Sequence, residues 1–471
     1  MEHIYDEMFS QNGTARFHYE HFYHWLKNQS LKKMALKKSE ADLIFRRVGI
    51  TFAVYGDAQG TERTIPFDQI PRIIPKKEWG MLEDGLKQRV KALNLFLFDI
   101  YHSQNILKSG IIPREQIVNN SQYRPEMRNI KVPRDIYAQI AGVDIVRAGA
   151  GEYYVLEDNL RVPSGVSYMV EDRKMMMRLF PSLFEKYRVA PVEHYPDLLL
   201  DCLKTSSPSN VKKPRVVVLT PGMFNSAYFE HSYLAQQMGV ELVEGKDLFV
   251  DHEFLYLKTT DGPQQVDVIY RRIDDDFLDP KVLKSDSTLG VPGLLSVYKA
   301  GNVGIANAVG TGIADDKSIY PYVPDMIRFY LDESPILNNV PTYLCRKSED
   351  LKFTLDNLSK LVVKETHGAG GYGMLVGPAS TKAEIEDFRK KIKAAPDKYI
   401  SQPTLALSTC PTFVNSGIAP RHIDLRPFVL SGKYVKMVSG GLTRVALKEG
   451  SLVVNSSQGG GTKDTWVLQD E

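Results

Sequence analysis

The densest run of chemistry-bearing residues is Val362-Val363-Lys364-Glu365-Thr366-His367-Gly368-Ala369-Gly370-Gly371-Tyr372-Gly373-Met374. Gly368, Gly370 and Gly373 match G-x-G-x-x-G. At a dinucleotide site that pattern must open a helix, so that the first amides of the helix meet the pyrophosphate. Here Met374-Leu375-Val376 follows and reads as a strand, stopped by Gly377 and Pro378. Strand, glycines, strand makes a hairpin flap. Its unhindered amides can lie over phosphate oxygens while Lys364 at its base supplies a point charge. A plain Gly-rich turn with Lys364 in solvent is the competing reading, but the four glycines of this loop exceed what a turn needs. Two look-alikes drop out. A protein kinase needs H-R-D and D-F-G elements further on, and Arg421-His422-Ile423-Asp424 is only a loose match to the first. In Gly312-Ile313-Ala314-Asp315-Asp316-Lys317-Ser318 an acid stands where a P-loop requires Gly before its Lys.

A second constellation is Tyr154-Val155-Leu156-Glu157-Asp158-Asn159. Side chains alternate along a strand, so Glu157 and Asn159 share one face and Asp158 takes the other. Asp144, on the preceding strand of the same hairpin, can lie beside them. Carboxylate and amide oxygens are hard ligands that suit Mg²⁺ when phosphate and water complete its shell. Ordinary solvated acids at a strand end are the alternative. The sequel Leu160-Arg161-Val162-Pro163-Ser164-Gly165, a Pro/Gly turn with a cation beside the acids, favours the metal reading.

The elements that must position these residues can be read from periodicity and punctuation. Trp25, Leu26, Leu31, Met34 and Leu36 are helix-like, Ile50–Tyr55 is a short strand ending at Gly56 and Asp57, and Pro71 and Pro75 punctuate the join to a helix over Leu86–Tyr101. The hairpin is predicted as Val143–Val146, a Gly-rich turn at Ala148–Glu152, and Tyr153–Leu156. After a Pro/Ser/Lys-rich linker at Thr205–Pro214 comes an α/β pattern, with strands at Arg215–Leu219, Glu241–Val243 and Val266–Tyr270 and a helix at Ser226–Gln237. It predicts a small parallel sheet. Further on, helices are expected at Tyr322–Leu331 and Lys382–Ala394. Strands are expected at Leu361–Lys364, Met374–Val376, Tyr399–Gln402, His422–Leu430, Tyr434–Gly440 and Ser451–Asn455. On the strand from His422, the residues His422, Asp424 and Arg426 share a polar face. A surface-strand cation is the plain reading of Arg426 and of Arg444.

Composition sets outer limits. The 471 residues suggest two or three domains. Basic and acidic residues number 59 and 57, a balance unlike that of a nucleic-acid binder. Cys202, Cys345 and Cys410 lie far apart with no partner at metal spacing, which speaks against a disulfide framework or a structural zinc. No signal peptide and no run long enough for a spanning helix is evident. No nucleic-acid or membrane partner is expected, and the expected location is cytoplasmic. Oligomeric state is left open.

These residues together resemble the ATP-grasp superfamily of carboxylate–amine ligases, but in permuted order. Lys317 before a helix, the flap from Lys364 to Gly373, a hinge at Tyr399-Ile400-Ser401-Gln402, and polar strands at Arg421–Arg426 and Gly441–Arg444 follow the family's sequence of parts. An Asn/Gly turn at Asn455–Gly461 comes next. Yet Gly142-Val143-Asp144 and Glu157-Asp158-Asn159, which should close the fold, stand near its front. The chain therefore resembles the circularly permuted ATP-grasp proteins of type 2, also called glutathionylspermidine synthetase-like. Gly49–Pro75, Glu230-His231 with Tyr233-Leu234-Ala235, and Arg271–Asp276 extend the match. The resemblance implies a mixed α+β and α/β fold: a helix-rich N-terminal region (1–135), a permuted segment with the carboxylate hairpin (136–204), an inserted small parallel α/β subdomain (205–315) and a core with flap and polar strands (316–471). It implies ATP and Mg²⁺ as cofactors. Lys317 and Lys364 would contact ATP, Gly368, Gly370, Gly371 and Gly373 would close over its phosphates, and Gln402 would edge the adenine. Asp144, Glu157 and Asn159 would hold the metal, and Arg426 and Arg444 would face the phosphoryl group and the acyl substrate. The implied activity joins a small-molecule or peptide carboxylate to an amine through an acyl phosphate. A phosphotransferase on the same site and a non-catalytic nucleotide-binding module are the alternatives.

Overall fold

The computed structural model describes residues 4–53, 62–368, 373–454 and 459–470. Among these residues the largest sheet draws strands from both ends of the chain, in the order Asn338–Asn339, Glu152–Asn159, Ile140–Gly149, Gly417–Arg426, Leu442–Val445, Gly461–Val467 and Phe67–Ile74. Its two outermost pairs are parallel and the pairs between them antiparallel. Front and back of the sequence meet where Ile145 lies opposite Leu425.

The hairpin that carries the acids is longer than its alternating core alone suggests. Asp144 pairs with Glu157 and Gly142 with Asn159, and a register shift to Ile145 opposite Val155 leaves Leu156 as an extra residue. Such a bulge re-aims the strand beyond it. Three buried polar anchors then fix the hairpin. Arg89, on the long helix Lys76–Tyr101, donates to both oxygens of Asp158 at 2.7 and 2.6 Å and to Asn339 Oδ1 at 2.7 Å. Asn94 on the same helix accepts from the Tyr137 and Ala138 amides at 3.0 and 2.8 Å. Asn307 accepts from the Ile140 amide and donates to the Ile140 and Leu160 carbonyls. Asp158 therefore points into the protein, while Glu157 and Asn159 face the other way.

The α/β segment forms a four-stranded, all-parallel sheet, ordered Gly304–Ala306, Val268–Arg271, Val216–Leu219 and Glu241–Val243. The strand Gly304–Ala306 is absent from the sequence reading because three wholly buried residues leave no alternation to detect. A Cβ on Gly304 would stand 1.9 Å from the Ser206 carbonyl oxygen, so this glycine permits close packing rather than a turn. The flap sheet is a separate antiparallel layer, ordered Tyr343–Leu344, Tyr399–Pro403, Leu361–Glu365 and Met374–Val376. Its own small core is Cys345, Leu358, Val363, Leu375, Ile392 and Tyr399. The helix Lys382–Ala394 covers it, started by a capping box between Thr381 and Glu384.

Other differences from the sequence reading have local causes. Phe67–Ile74 is a fully buried strand despite Pro71. The ladder to Gly461–Val467 is irregular between Lys463 and Thr465, where the partner steps from Asp68 to Arg72, and a missing N–H is tolerated at such a break. The helix predicted from Leu86 starts at Lys76, directly after Pro75; Trp79 and Leu82 are already on its buried face, but Gly80 and Gly85 among them weaken the helical signal. Pro427 divides the predicted strand His422–Leu430 into Gly417–Arg426 and Phe428–Ser431. Only Val435–Lys436 of Tyr434–Gly440 is strand, and Ser451–Val454 has no regular structure. Tyr55, Gly56, Asp57 and Asn455 lie outside the described residues. Among the described residues no helix is long and apolar enough to cross a membrane. All three cysteines are free and buried.

Removing one partner of a buried ion pair strands the other. Asp158→Asn should therefore lower the unfolding free energy by on the order of 3 kcal/mol, read as an earlier urea midpoint. An unchanged midpoint would show that Arg89 does not depend on this carboxylate.

Candidate functional site

The flap sheet and the end of the acidic hairpin enclose a cleft of three compartments. The first is an apolar slot, open to solvent, walled by Leu156, Val340, Val362, Met374, Val376, Leu405, Leu407 and Leu452 together with Lys364 and Gln402. The second is a narrow neck that shares Leu156, Lys364 and Gln402 with the slot and adds Glu157, Asp315 and Lys317. The third is a polar chamber that shares Glu157, Asp315 and Lys317 with the neck and adds Gln122, Asn159, Arg161, Asp316, His367 and Gly368. The cleft thus changes from apolar to cationic to oxygen-rich along its length.

The two lysines enter the neck from different elements. Lys364, on the second-last strand of the flap sheet, donates to Gln402 Oε1 at 2.8 Å. Burial pulls its pKa down to about 8, and Lys317 nearby adds to that, while Glu157 opposes it. Lys317 follows the short helix Gly312–Asp315; its amino group donates to the Gly368 carbonyl at 2.6 Å and stands 3.4 Å from Glu157 Oε1. Asp316 beside it turns away from the neck and accepts from Asn120 and the Ser318 amide, with His367 Nδ1 at 2.8 Å. Asp315 accepts from the Leu160 and Arg161 amides. Burial raises its pKa to about 6 against the pull of Arg161.

The arginines form a closed group of charges with two aspartates. Arg426 donates to both oxygens of Asp144 at 2.5 and 2.8 Å and to the Ser164 carbonyl at 3.1 Å. Arg444 reaches Asp144 Oδ2 at 2.6 Å and grips Asp424 with Nε at 2.9 Å and with Nη2. Burial alone would raise the Asp144 pKa, yet the Arg426 and Arg444 guanidiniums hold it well below the usual carboxylate range. Burial pushes the Asp424 pKa up despite Arg444. Asp144 shares the cleft face with Glu157, its cross-strand partner, but three donors already occupy its oxygens.

The structure therefore brings Lys317, Lys364, Glu157, Asn159, Gln402 and Gly368 to one cleft, with Asp144, Arg426 and Arg444 on the adjoining strands. Gly370 and Gly371 lie outside the described residues. Gly373 has φ +67°, a left-handed conformation that favours glycine. Residues that the sequence does not single out are the slot's leucines and valines, which look like any core residues, and Thr342, which accepts from Gln402 Nε2 at 2.9 Å. Asp424 is visible in the sequence only as one member of a polar strand face.

The family described as circularly permuted ATP-grasp type 2 matches residues 71–446. The chain belongs to that family. An uncharacterized protein of Synechocystis sp. is 53% identical over 99% of this chain and 97% of its own length. A protein of Frankia casuarinae, provisionally named glutamate–cysteine ligase 2-2, is 43% identical over 89% of this chain, which spans only 48% of that longer protein. A solved glutathione synthetase-like effector from Globodera pallida, in its apo form, shares the fold with a TM-score of 0.60 at 12% identity, over 94% of this chain and 98% of that one.

The ATP-grasp family implies ATP and Mg²⁺, and the donor set accommodates both. Among the described residues no cluster of three His, Cys, Asp or Glu could hold a metal by itself. Glu157 and Asn159 are side by side in the chamber, and the buried Asn159 Nδ2 has no hydrogen-bond partner among the described residues, so no such bond fixes that amide in place. Two protein oxygens completed by phosphate and water suit Mg²⁺, which gives up its water reluctantly.

A phosphate-bearing ligand stabilises protonated Lys364. Affinity for MgATP should be full below pH 8 and fall as the pH rises through about 8, where Lys364 of the free protein loses its proton. In Lys364→Met the affinity should be weaker and flat over that range. Calorimetric titration across the range checks both; an identical slope in the variant would remove Lys364 from the site.

Proposed function

We propose that the protein is an ATP- and Mg²⁺-dependent carboxylate–amine ligase that works through an acyl phosphate. One observation carries this reading: an apolar slot, a neck with two lysines, and a chamber with a carboxylate and an unanchored amide lie in that order in one cleft. That order matches the base, phosphates and metal of MgATP. Adenine would occupy the slot, edged by Gln402. Lys364 and Lys317 would hold the phosphates, with the flap glycines above them. Glu157 and Asn159 would bind Mg²⁺, with the remaining lone pair of Asp144 as a third oxygen. The metal would supply charge neutralisation for the phosphoryl group.

In the first step a substrate carboxylate attacks the γ-phosphorus, an acyl phosphate forms and ADP leaves. In the second an amine attacks the acyl carbon, inorganic phosphate leaves, and an amide forms with release of a proton. No nucleophilic side chain is required. Arg426 and Arg444 would face the transferred group, and the aspartates beside them fix their orientation so that little reorganisation accompanies the charge movement. The Frankia relative's name supports ligase chemistry in general. It belongs to a protein of about twice this length, so its substrates are not transferred to this chain.

A panel of carboxylic acids and short peptides, each paired with amines and followed by ADP release and mass spectrometry, tests the proposal. Amide plus ADP supports it. A phosphorylated product points to a phosphotransferase, and nucleotide binding without turnover points to a regulatory module. Glu157→Gln keeps the shape but removes the anionic ligand, so it should abolish most ADP production while leaving the melting temperature unchanged. Retained turnover in that variant would remove Glu157 from the metal.

A further inference from the structure

Thr342 lies on the connection between two sheets. Asn338–Asn339 ends the large sheet, Tyr343–Leu344 begins the edge of the flap sheet, and Val340, Pro341 and Thr342 join them. The Val340 amide donates to the Val155 carbonyl at 3.0 Å, on the acidic hairpin. From this joint a row of hydrogen bonds runs into the cleft. Thr342 Oγ1 donates to the Val340 carbonyl at 2.9 Å, Gln402 Nε2 donates to Thr342 Oγ1 at 2.9 Å, and Lys364 Nζ donates to Gln402 Oε1 at 2.8 Å.

Only one arrangement of protons satisfies this row. An ammonium can only donate and a backbone carbonyl can only accept. Lys364 therefore requires the amide oxygen of Gln402, which turns the Gln402 nitrogen toward Thr342. The Thr342 oxygen must then accept, and its own proton goes to Val340. Lys364 sets the amide orientation, and the Thr342 hydroxyl, its proton committed to Val340, supplies the acceptor that the inward-facing Gln402 NH₂ then needs.

We propose that Thr342 is a positioning residue for the nucleotide: through Gln402 it holds Lys364 aimed at the neck. This rests on the reading of the cleft as an ATP site. Without the hydroxyl the Gln402 NH₂ loses its acceptor, and the amide that supports Lys364 is no longer held at its far end.

The test is MgATP titration of the full chain by calorimetry, with melting temperatures recorded alongside. Thr342→Val and Thr342→Ala should each weaken binding by up to about tenfold, the upper end for one neutral hydrogen bond. Thr342→Ser, which keeps the hydroxyl, should bind like the parent. In a Gln402→Met background Thr342→Val should cost nothing further, because its effect passes through Gln402. If the Val and Ala variants melt like the parent and bind MgATP equally well, the inference is overturned while the ATP site stands. It is overturned in the same way if the losses at Thr342 and Gln402 simply add. If the parent chain itself binds no MgATP, the functional reading falls and takes this inference with it.

Discussion

The proposed polyphosphate site requires positive charge kept out of water without being neutralised beforehand, and the neck and the strands beside it can be understood from that constraint. In the neck Lys364 rests on a neutral amide oxygen and Lys317 on a backbone carbonyl. Glu157, 3.4 Å from Lys317, is the acid they share. Asp315, which also lines the neck, lies 3.4 Å from Arg161, while Lys364 pairs with no acid among the described residues, and its depressed pKa is the cost of keeping it there. The arginines a few strands away are treated in the opposite manner. Arg426 and Arg444 are matched by Asp144 and Asp424, so they are rigid and locally compensated.

Holding those groups in place requires scaffolding from distant parts of the chain. Arg89 and Asn94 on the long helix, and Asn307 after the parallel sheet, pin the acidic hairpin by hydrogen bonds to side chain and backbone. A second buried ion pair, Arg272 with Glu230 at 3.0 Å, fastens the turn beyond the hairpin. Arg272 donates to the Pro163 carbonyl and to Ser164 Oγ, while Glu230 accepts from the amides of Gly165 and Ser167 at the start of the helix Val166–Leu179. The Ser164 carbonyl in turn accepts from Arg426. The α/β segment therefore reaches the arginine group through one turn of backbone. Its residues Glu230 and Arg272 act by holding that turn, with no exposed charge of their own.

Much of this is legible in the sequence because the relevant signals are local. Strand alternation separates Glu157 and Asn159 from Asp158, and that separation reappears as a cleft face and a buried ion pair. The flap strands can be read because glycines and a proline bound them. What cannot be read depends on contacts between remote segments. Nothing in the sequence marks Leu405 or Leu452 as slot walls, and a lone threonine after Pro341 carries no signal. The strand Phe67–Ile74 is hidden by Pro71, whose tolerance depends on an irregular ladder to Gly461–Val467. Asp144 shows a further limit. Its type and place suit a metal, but only the structure reveals that two guanidiniums already share its oxygens.

The proposed function requires a nucleotide to enter the cleft between the flap sheet and the acidic hairpin. Photolabelling with 8-azido-ATP in the presence of Mg²⁺, followed by peptide mapping, locates the base on the chain. Label is expected on peptides that contribute the slot, namely those containing Val340, Met374–Val376, Leu405–Leu407 or Leu452, and it should be lost when unmodified ATP competes. Label concentrated on the parallel sheet or the N-terminal helices, and displaced by ATP there, would contradict a nucleotide site in this cleft.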